Sequence, residues 1–412
     1  MKFGPNIANN GLVLALDAAN PRSFRGEPTE NLVPTSGMRL CSTAFTRNSS
    51  HVETWTYSRE TNVFGRANVT KATITPTGTT AQPYADWGFA AYKTGGSEIG
   101  DVYTVSFDFK VVEGTTTPTL NTVYANGYKT PDSSGAASLG TQYFKDLGDG
   151  WTRYSRSATI TVAGNTWWRF GMNSNNNPTT VYVDNFQVEL KSSSTRFVDG
   201  TRGTTVATGG GWADLSGNAY HGEILNGTTT DSDETIQGTL EFDGTNDYVS
   251  LGDLDLVTGA FSINVWFKGN PSQTGTYAAL VSKDDAGNFG NFNMGGDSGN
   301  NYVRFGFSGT NGQKEVSNSS YYDLKANTWV NYCGTWDGSS TLKLYRNGVV
   351  IDTNSSANGT LILNNNNLII GDRTATDGFF GGKISLVQIY TKELTSNEVL
   401  KNYNALKGRY NL

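Results

Sequence analysis

Apolar and polar residues alternate in short runs along nearly the whole sequence, and this period of two restricts the chain to β-structure more firmly than any other feature. The clearest runs are Val102 to Val111, Arg156 to Val162, Thr180 to Val188, Phe261 to Phe267, Tyr302 to Phe307 and Leu342 to Tyr345. Such a strand sends one face into a core and the other toward solvent. Asn-Gly pairs at Asn126, Asn226, Asn311 and Asn347 fall between runs of this kind. The pair at Asn347, between LKLYR and VVID, predicts a hairpin, because a two-residue turn with positive φ suits Asn-Gly. Asn364 to Asn367 reads as a further turn. One segment escapes the pattern: Thr395 to Lys407, TSNEVLKNYNALK. Thr395 and Glu398 have capping-box spacing, Leu394 and Val399 form a hydrophobic staple, and Val399, Tyr403 and Leu406 share one helical face. This spacing predicts a short terminal helix packed on a sandwich.

A length of 412 residues suits two sandwich domains better than one. Aromatic residues at 12% and charged residues at 17% describe a folded, turn-rich chain rather than a disordered one. A net charge of −6 offers no basic face, so nucleic acid is excluded as an expected partner. The two histidines, His51 and His221, exclude metal sites built on several imidazoles. Cys41 and Cys333 are too few for a disulfide scaffold and read as free thiols. The first 21 residues lack the apolar core and cleavage site of a signal peptide, and no apolar stretch approaches the ~18 residues that span a bilayer. Neither secretion nor membrane insertion is therefore expected.

Lys191 to Gly211 is polar, Gly-rich and nearly without apolar residues, and it separates two β-rich blocks at about 30–190 and 212–412. Arg25 to Asn31 reads as a linker leaving the first strand. WADLSGNAYHGEILNG (Trp212 to Gly227) and FDGTNDYVSLG (Phe242 to Gly252) resemble the opening signatures of laminin-G-like, concanavalin-type jelly-roll domains. FSINVWFK, WVNYCGTWDGSSTLKLYRNGVVI, LIIGDR and FFGGKISLVQIYTKELTSNEV follow in the family's order. GLVLALDAANPRSF (Gly11 to Phe24) is similar to the same family. In similar bacteriophage structural proteins it runs almost directly into the WxDLSGN element, from which it is here separated by a long insert. The insert resembles carbohydrate-binding-module jelly rolls through ENLVPTSG (Glu30 to Gly37), DGWTRYSRSATIT (Asp149 to Thr161) and VYVDNFQVEL (Val181 to Leu190), and its exit RFVDGTRG (Arg196 to Gly203) is similar to that of such modules in phage fibres.

The resemblance implies an all-β chain with two jelly-roll sandwiches, one inserted into the other, and a short C-terminal helix. The expected division is an arm at 1–10, a laminin-G-like sandwich from 11–26 plus 204–412, a carbohydrate-binding-module-like sandwich at 27–198 and a linker at 199–211. The expectation rests on residues 11–24 joining the C-terminal body.

No catalytic residue is expected. A glycosidase needs two carboxylates about 5–9.5 Å apart across a groove. The acid pairs Asp253 with Asp255 and Glu393 with Glu398 do not form the dense acidic strand of jelly-roll glucanases, and Asp108 stands alone in VSFDFK. His221 lies in the DLSGNAYHG turn, where a structural hydrogen bond is the expected role. Sugar rings pack their C–H faces on exposed aromatic rings, which makes Trp87, Trp167 and Trp168 in the insert candidate glycan contacts. Alternation puts one of Trp167 and Trp168 outward; Trp151 reads as core, as do Trp266, Trp329 and Trp336. Phe289, Phe292, Asn301 and Phe379 lie in candidate ligand loops that suit a glycan or another protein equally. Calcium takes six to eight hard oxygens. Asp284, Asp285, Asn288 and Asp372 fall near the ligands of pentraxin-like relatives, although Arg373 interrupts the second loop, and Asp184 matches a structural calcium position of similar modules. At each, an Asp satisfied by turn amides is the alternative.

The resemblance implies a non-enzymatic virion protein, decorating the particle or adhering to host surface glycans, assembled in the host cytoplasm and oligomeric, with other virion proteins as partners. A purely structural assembly protein and a glycan-degrading tail enzyme are the rival readings.

Overall fold

The structure is a computed structural model. It describes residues 6–24, 29–33, 53–64, 66–76, 84–114, 117–125, 135–173, 177–192, 194, 197, 201–226, 229–230, 238–273, 277–285, 288–296, 302–373 and 378–412. The chain divides into two compact units, one formed by Met1–Pro28 with Arg202–Leu412 and the other by Thr29–Thr201. Each is a β-sandwich, and the second is inserted in the first.

In the discontinuous unit an eight-stranded sheet faces a seven-stranded one. The first sheet runs Thr229–Thr230, Leu240–Asp243, Gly381–Tyr390, Phe261–Gly269, Trp329–Trp336, Leu342–Arg346, Val349–Asn354. The opening strand, Leu12–Asp17, pairs antiparallel with Gly381–Tyr390, from Asp17 opposite Leu386 to Leu12 opposite Tyr390, with a register shift between Leu12 and Leu14. The second sheet runs Glu223–Leu225, Tyr248–Ser250, Ile369–Ile370, Ala279–Asp285, Asn288–Gly295, Arg304–Gly309, Gly312–Ser317. Leu14, Leu16, Trp212, Phe261, Ile263, Val265, Phe305, Phe307 and Trp336 meet in the core. The sheets close so tightly at Gly334 that a Cβ there would stand 2.3 Å from Phe305 Cγ.

Local chemistry sets the connections. Asn347 (φ 50°) and Gly348 (φ 79°) make the two-residue turn that joins Leu342–Arg346 to Val349–Asn354, with Arg346 opposite Val349. Asp214 ties the opening segment to the DLSGN turn: its carboxylate accepts from the Ala15 and Ser216 amides at 2.9 and 2.8 Å. His221 Nδ1 accepts the Asp214 amide at 3.1 Å, a structural bond.

The helix Ser396–Leu406 starts at a reciprocal capping box, in which Thr395 Oγ1 accepts the Glu398 amide and Glu398 Oε2 accepts the Thr395 amide at 3.0 Å. Its buried residues are Val399, Asn402 and Leu406, while Tyr403, half-buried, stacks on Trp266. The alternation rule therefore misplaces the polar side of Phe261–Gly269, because Ser262 and Asn264 lie buried rather than in water, on the side where Trp266 is buried as expected. A polar chain links the elements there. Asn331 Nδ2 donates to Asn264 Oδ1, Asn264 Nδ2 to Gln388 Oε1, Asn402 Nδ2 to the Tyr390 hydroxyl, and the Ala8 amide to Asn402 Oδ1 at 2.7 Å. Arg409 grips Asp17 through both guanidinium nitrogens, at 2.7 and 3.1 Å. Cys333 is buried in the same layer, and burial raises its thiol pKa far above the ordinary value; Cys41 and His51 lie outside the described residues. No helix among the described residues is long and apolar enough to cross a membrane.

The inserted unit has a six-stranded sheet in the order Glu53–Val63, Arg66–Pro76, Thr179–Glu189, Val102–Glu113, Trp151–Ile160, Ala137–Gly148. A three-stranded sheet has Thr166–Asn173 between Tyr84–Ala90 and Thr119–Ala125. Val105, Phe107, Tyr154, Trp168, Phe170, Val181 and Val183 fill its core.

Candidate functional site

The strand Thr166–Asn173 decides which tryptophan faces outward. Its even positions, Trp168 and Phe170, are fully buried. Trp168 Nε1 donates to the Ala91 carbonyl at 2.7 Å, and its ring meets Tyr103 edge-on at 5.7 Å. The expectation of a glycan contact at Trp168 is thereby corrected: the ring is a core element with its polar atom satisfied. Trp167 is on the opposite face and half-buried, paired with Tyr124 on one side and Ala90 on the other. Two positions on, Arg169 is half-buried and donates through a terminal nitrogen to the Tyr124 hydroxyl at 3.2 Å; its neighbours in register are Thr122 and Gly88. A half-buried indole and guanidinium thus share one sheet face with a buried phenol. Trp87 pairs with Phe170 in the flanking strand, where only the backbone is described. Arg169 and Tyr124 escaped the sequence reading, although the same alternation that selects Trp167 places Arg169 on its face.

The remaining candidates disperse. Phe292 is fully buried against Phe261 at 5.7 Å, so its expected ligand role is corrected to core packing. Phe379 is half-buried, and its carbonyl accepts from Gln273 Nε2 at 3.1 Å. Phe289 and Asn288 belong to the strand Asn288–Gly295, and Asn288 pairs with Asp285; only their backbone is described. Asn301 lies outside the described residues.

The acids are neutralised rather than paired. Asp108, nearly buried, accepts from Arg66 and Arg153 at 2.8 Å each and from Asn185 Nδ2 at 2.8 Å. Asp184 shares the Arg66 guanidinium at 2.9 Å, and that guanidinium lies 3.8 Å over the Trp151 ring. Burial raises the Asp184 carboxyl pKa above its ordinary value, against the pull of Arg66. Asp184 is therefore corrected from a calcium ligand to one arm of a two-aspartate, two-arginine network.

At the corner of the discontinuous unit where calcium ligands are expected from the sequence, Asp284 Oδ2 accepts from Arg373 Nε at 2.5 Å and from Asn293 Nδ2 at 3.0 Å. Asp372 is fully buried and accepts the Gly378 amide at 3.2 Å. Lys283, also fully buried, donates to Asp253 at 2.5 Å and to the Asn366 carbonyl at 2.7 Å, with Asp255 at 3.3 Å. Asn366 Nδ2 in turn binds the Asp284 carbonyl at 2.6 Å, so the asparagine-rich turn clamps this strand. Calcium needs six to eight oxygens free of other donors, and these carry N–H groups already. The donor set does not fit calcium, which corrects the expected roles of Asp284 and Asp372. Among the described residues, no group of three or more His, Cys, Asp or Glu is placed to hold a metal. Glu393 is likewise engaged by Lys343 at 2.8 Å and Glu398 by Lys392 at 2.7 Å.

Residues 243–400 match the sequence pattern described as the concanavalin A-like lectin/glucanases superfamily. The fold of this region is concanavalin A-like. The lectin-like domain so defined takes in most strands of both large sheets and the start of the terminal helix. No curated protein matches the chain. Among solved structures it is similar to the binding domain of Paraclostridial Mosquitocidal Protein 1, at 20% identity and a TM-score of 0.39, covering 47% of this chain and 49% of that one. The botulinum neurotoxin serotype D binding domain is similar at 18% identity and a TM-score of 0.37, with coverages of 47% and 48%. Domain 4 of AbnA, an extracellular arabinanase from Geobacillus stearothermophilus solved with arabinotriose, is similar at 19% identity and a TM-score of 0.36, with coverages of 46% and 92%. The chain thus spans about half the length of the toxin domains it matches.

Proposed function

We propose that this chain is a non-enzymatic glycan-binding protein of a bacteriophage particle, carried on the surface as a decoration or fibre component and directed at host surface glycans. The observation that carries the reading is the strip of Trp167, Tyr124 and Arg169 on one sheet face of the insert. The half-buried Trp167 ring offers a flat apolar surface to the C–H face of a sugar and Arg169 a guanidinium to its hydroxyl or carboxylate oxygens, with the buried Tyr124 hydroxyl holding Arg169 in place. Asp108, Glu393 and Glu398, among the acids the sequence singles out for catalysis, are salt-bridged, which supports the non-enzymatic part, since a glycosidase keeps one carboxyl for proton transfer and a second for attack or water activation. Affinity at one such strip is weak, and several copies on one particle raise avidity without new contacts. The phage assignment draws on the motif resemblance of Gly11 to Phe24 and Trp212 to Gly227, segments bonded to each other here through Asp214.

The test is an array of bacterial surface polysaccharides probed with the full chain and with Trp167→Ala. Loss of an aromatic anchor should weaken binding roughly tenfold. Binding to surface glycans that Trp167→Ala leaves unchanged would remove the strip from the account. A second reading, an assembly protein that contacts only other virion subunits, has its own support in the strand Ala137–Gly148. That strand is a sheet edge and exposes Tyr143, Phe144 and Leu147. An array without any hit favours that reading.

A further inference from the structure

We infer that Arg373 and Lys283 are built-in replacements for a divalent ion, and that this corner of the lectin-like domain is held together without calcium. Asp284 and Lys283 are adjacent on the strand Ala279–Asp285, and each is held by an opposite charge from a different loop. Arg373 comes from the segment that follows Ile369–Ile370, and Asp253 and Asp255 from the one that follows Tyr248–Ser250. An ion at this corner would tie the same segments through their carboxylates. The two cations do so with directed N–H bonds.

The bonding is complete on both sides. An ammonium has three donors, and Lys283 Nζ has three oxygen neighbours, Asp253 Oδ1, Asn366 O and Asp255 Oδ1. The Arg373 side chain is 7% exposed and Asp284 1%, with the guanidinium 4.8 Å from the Tyr277 ring. The Ser282 hydroxyl fixes the loop from below, bonded to the Asp372 and Arg373 carbonyls at 2.8 and 3.0 Å. Burying a cation in this way requires its partner in place, because a lone buried charge is strongly unfavourable. The arrangement therefore works only as a unit, and a metal has to evict a cation to enter.

Thermal unfolding of the full chain in EDTA and in 5 mM CaCl2 tests this, with Arg373→Gln alongside. A calcium site with a Kd of about 1 mM would raise the wild-type transition by roughly 3 °C under these conditions. The expected shift is under about 1 °C. In EDTA, Arg373→Gln should melt roughly 10 °C lower, and calcium should restore part of that loss, because Asp284 then lacks its counter-charge. A wild-type shift of about 3 °C or more that Asp284→Asn abolishes overturns the inference. So does an Arg373→Gln protein that is undiminished in EDTA, or one whose loss calcium leaves untouched. Should Arg373→Gln fail to fold, the wild-type comparison still decides. None of these outcomes depends on sugar binding, so the inference stands or falls apart from the proposed function.

Discussion

Replacing Asp247 by Asn should stabilise the lectin-like domain at neutral pH and leave it unchanged in acid. Asp247 lies just before the strand Tyr248–Ser250, is 5% exposed, and accepts the Asp243 amide at 3.0 Å. Burial, with the charges of Asp243 and Glu241 adding to it, raises its carboxyl pKa from 3.8 to about 6, although the Asp243 amide pulls the other way. The folded state thus binds this proton more tightly than the unfolded chain. Stability is full below pH ~4, falls as pH rises toward the folded value, and stays low above it. The gap corresponds to roughly 3 kcal/mol at pH 7.5. An Asn can keep the bond to the Asp243 amide through its carbonyl oxygen and carries no charge. The expected gain for Asp247→Asn is ~2–3 kcal/mol at pH 7.5, a rise of roughly 5–10 °C in the melting transition, shrinking toward zero near pH 4. Calorimetric scans of wild type and variant at both pH values decide it. A variant no more stable than wild type at pH 7.5, or a gain of equal size at pH 4, would refute the reasoning.

Two further expectations concern packing and charge. Gly334→Ala drives a Cβ into the Phe305 ring and should cost about 1–3 kcal/mol or more, visible as an earlier denaturation midpoint; an unaltered midpoint would mean that the sheets part more easily than their contact implies. Arg153→Met leaves Asp108 with Arg66 and Asn185 and releases Ser106, and it should lower the insert's stability by about 2–4 kcal/mol; a change below ~0.5 kcal/mol in chemical denaturation would show that Arg66 alone suffices.

Much of the architecture was legible because the relevant signals are local. The hairpin at Asn347 needs only positive φ at two residues, and the helix start at Thr395 only two side chains three apart. The two-sandwich reading followed from alternation and from the order of short motifs. What alternation hid was the second layer. It assigned Ser262, Asn264, Ser106 and Asp108 to the wet side of their strands, yet all four are buried. The first two are bonded within a polar layer beside the terminal helix and the second two are gripped by arginines, and nothing in a strand's own sequence announces what will cover it. The same limit governed the site. Trp167 and Trp168 are indistinguishable as sequence neighbours until the register against Val123 and Tyr124 sets the inward face. Arg373 was visible as an interruption of an acidic loop. Lys283 was not, because its partners Asp253 and Asn366 lie far from it along the chain.

The pairing of Leu12–Asp17 with Gly381–Tyr390 has a consequence for biosynthesis. The latter strand also bonds Leu240–Asp243 and Phe261–Gly269, so three neighbours wait on one late-emerging segment. Asp17 and Arg409, which hold each other directly, stand 392 positions apart. On the ribosome the inserted sandwich is complete long before this keystone appears, and it can reach its native state first. The surrounding domain must keep its opening segment unpaired until Gly381–Tyr390 has been made, which makes its closure a slow step of high contact order and one open to exchange of that segment between nascent copies.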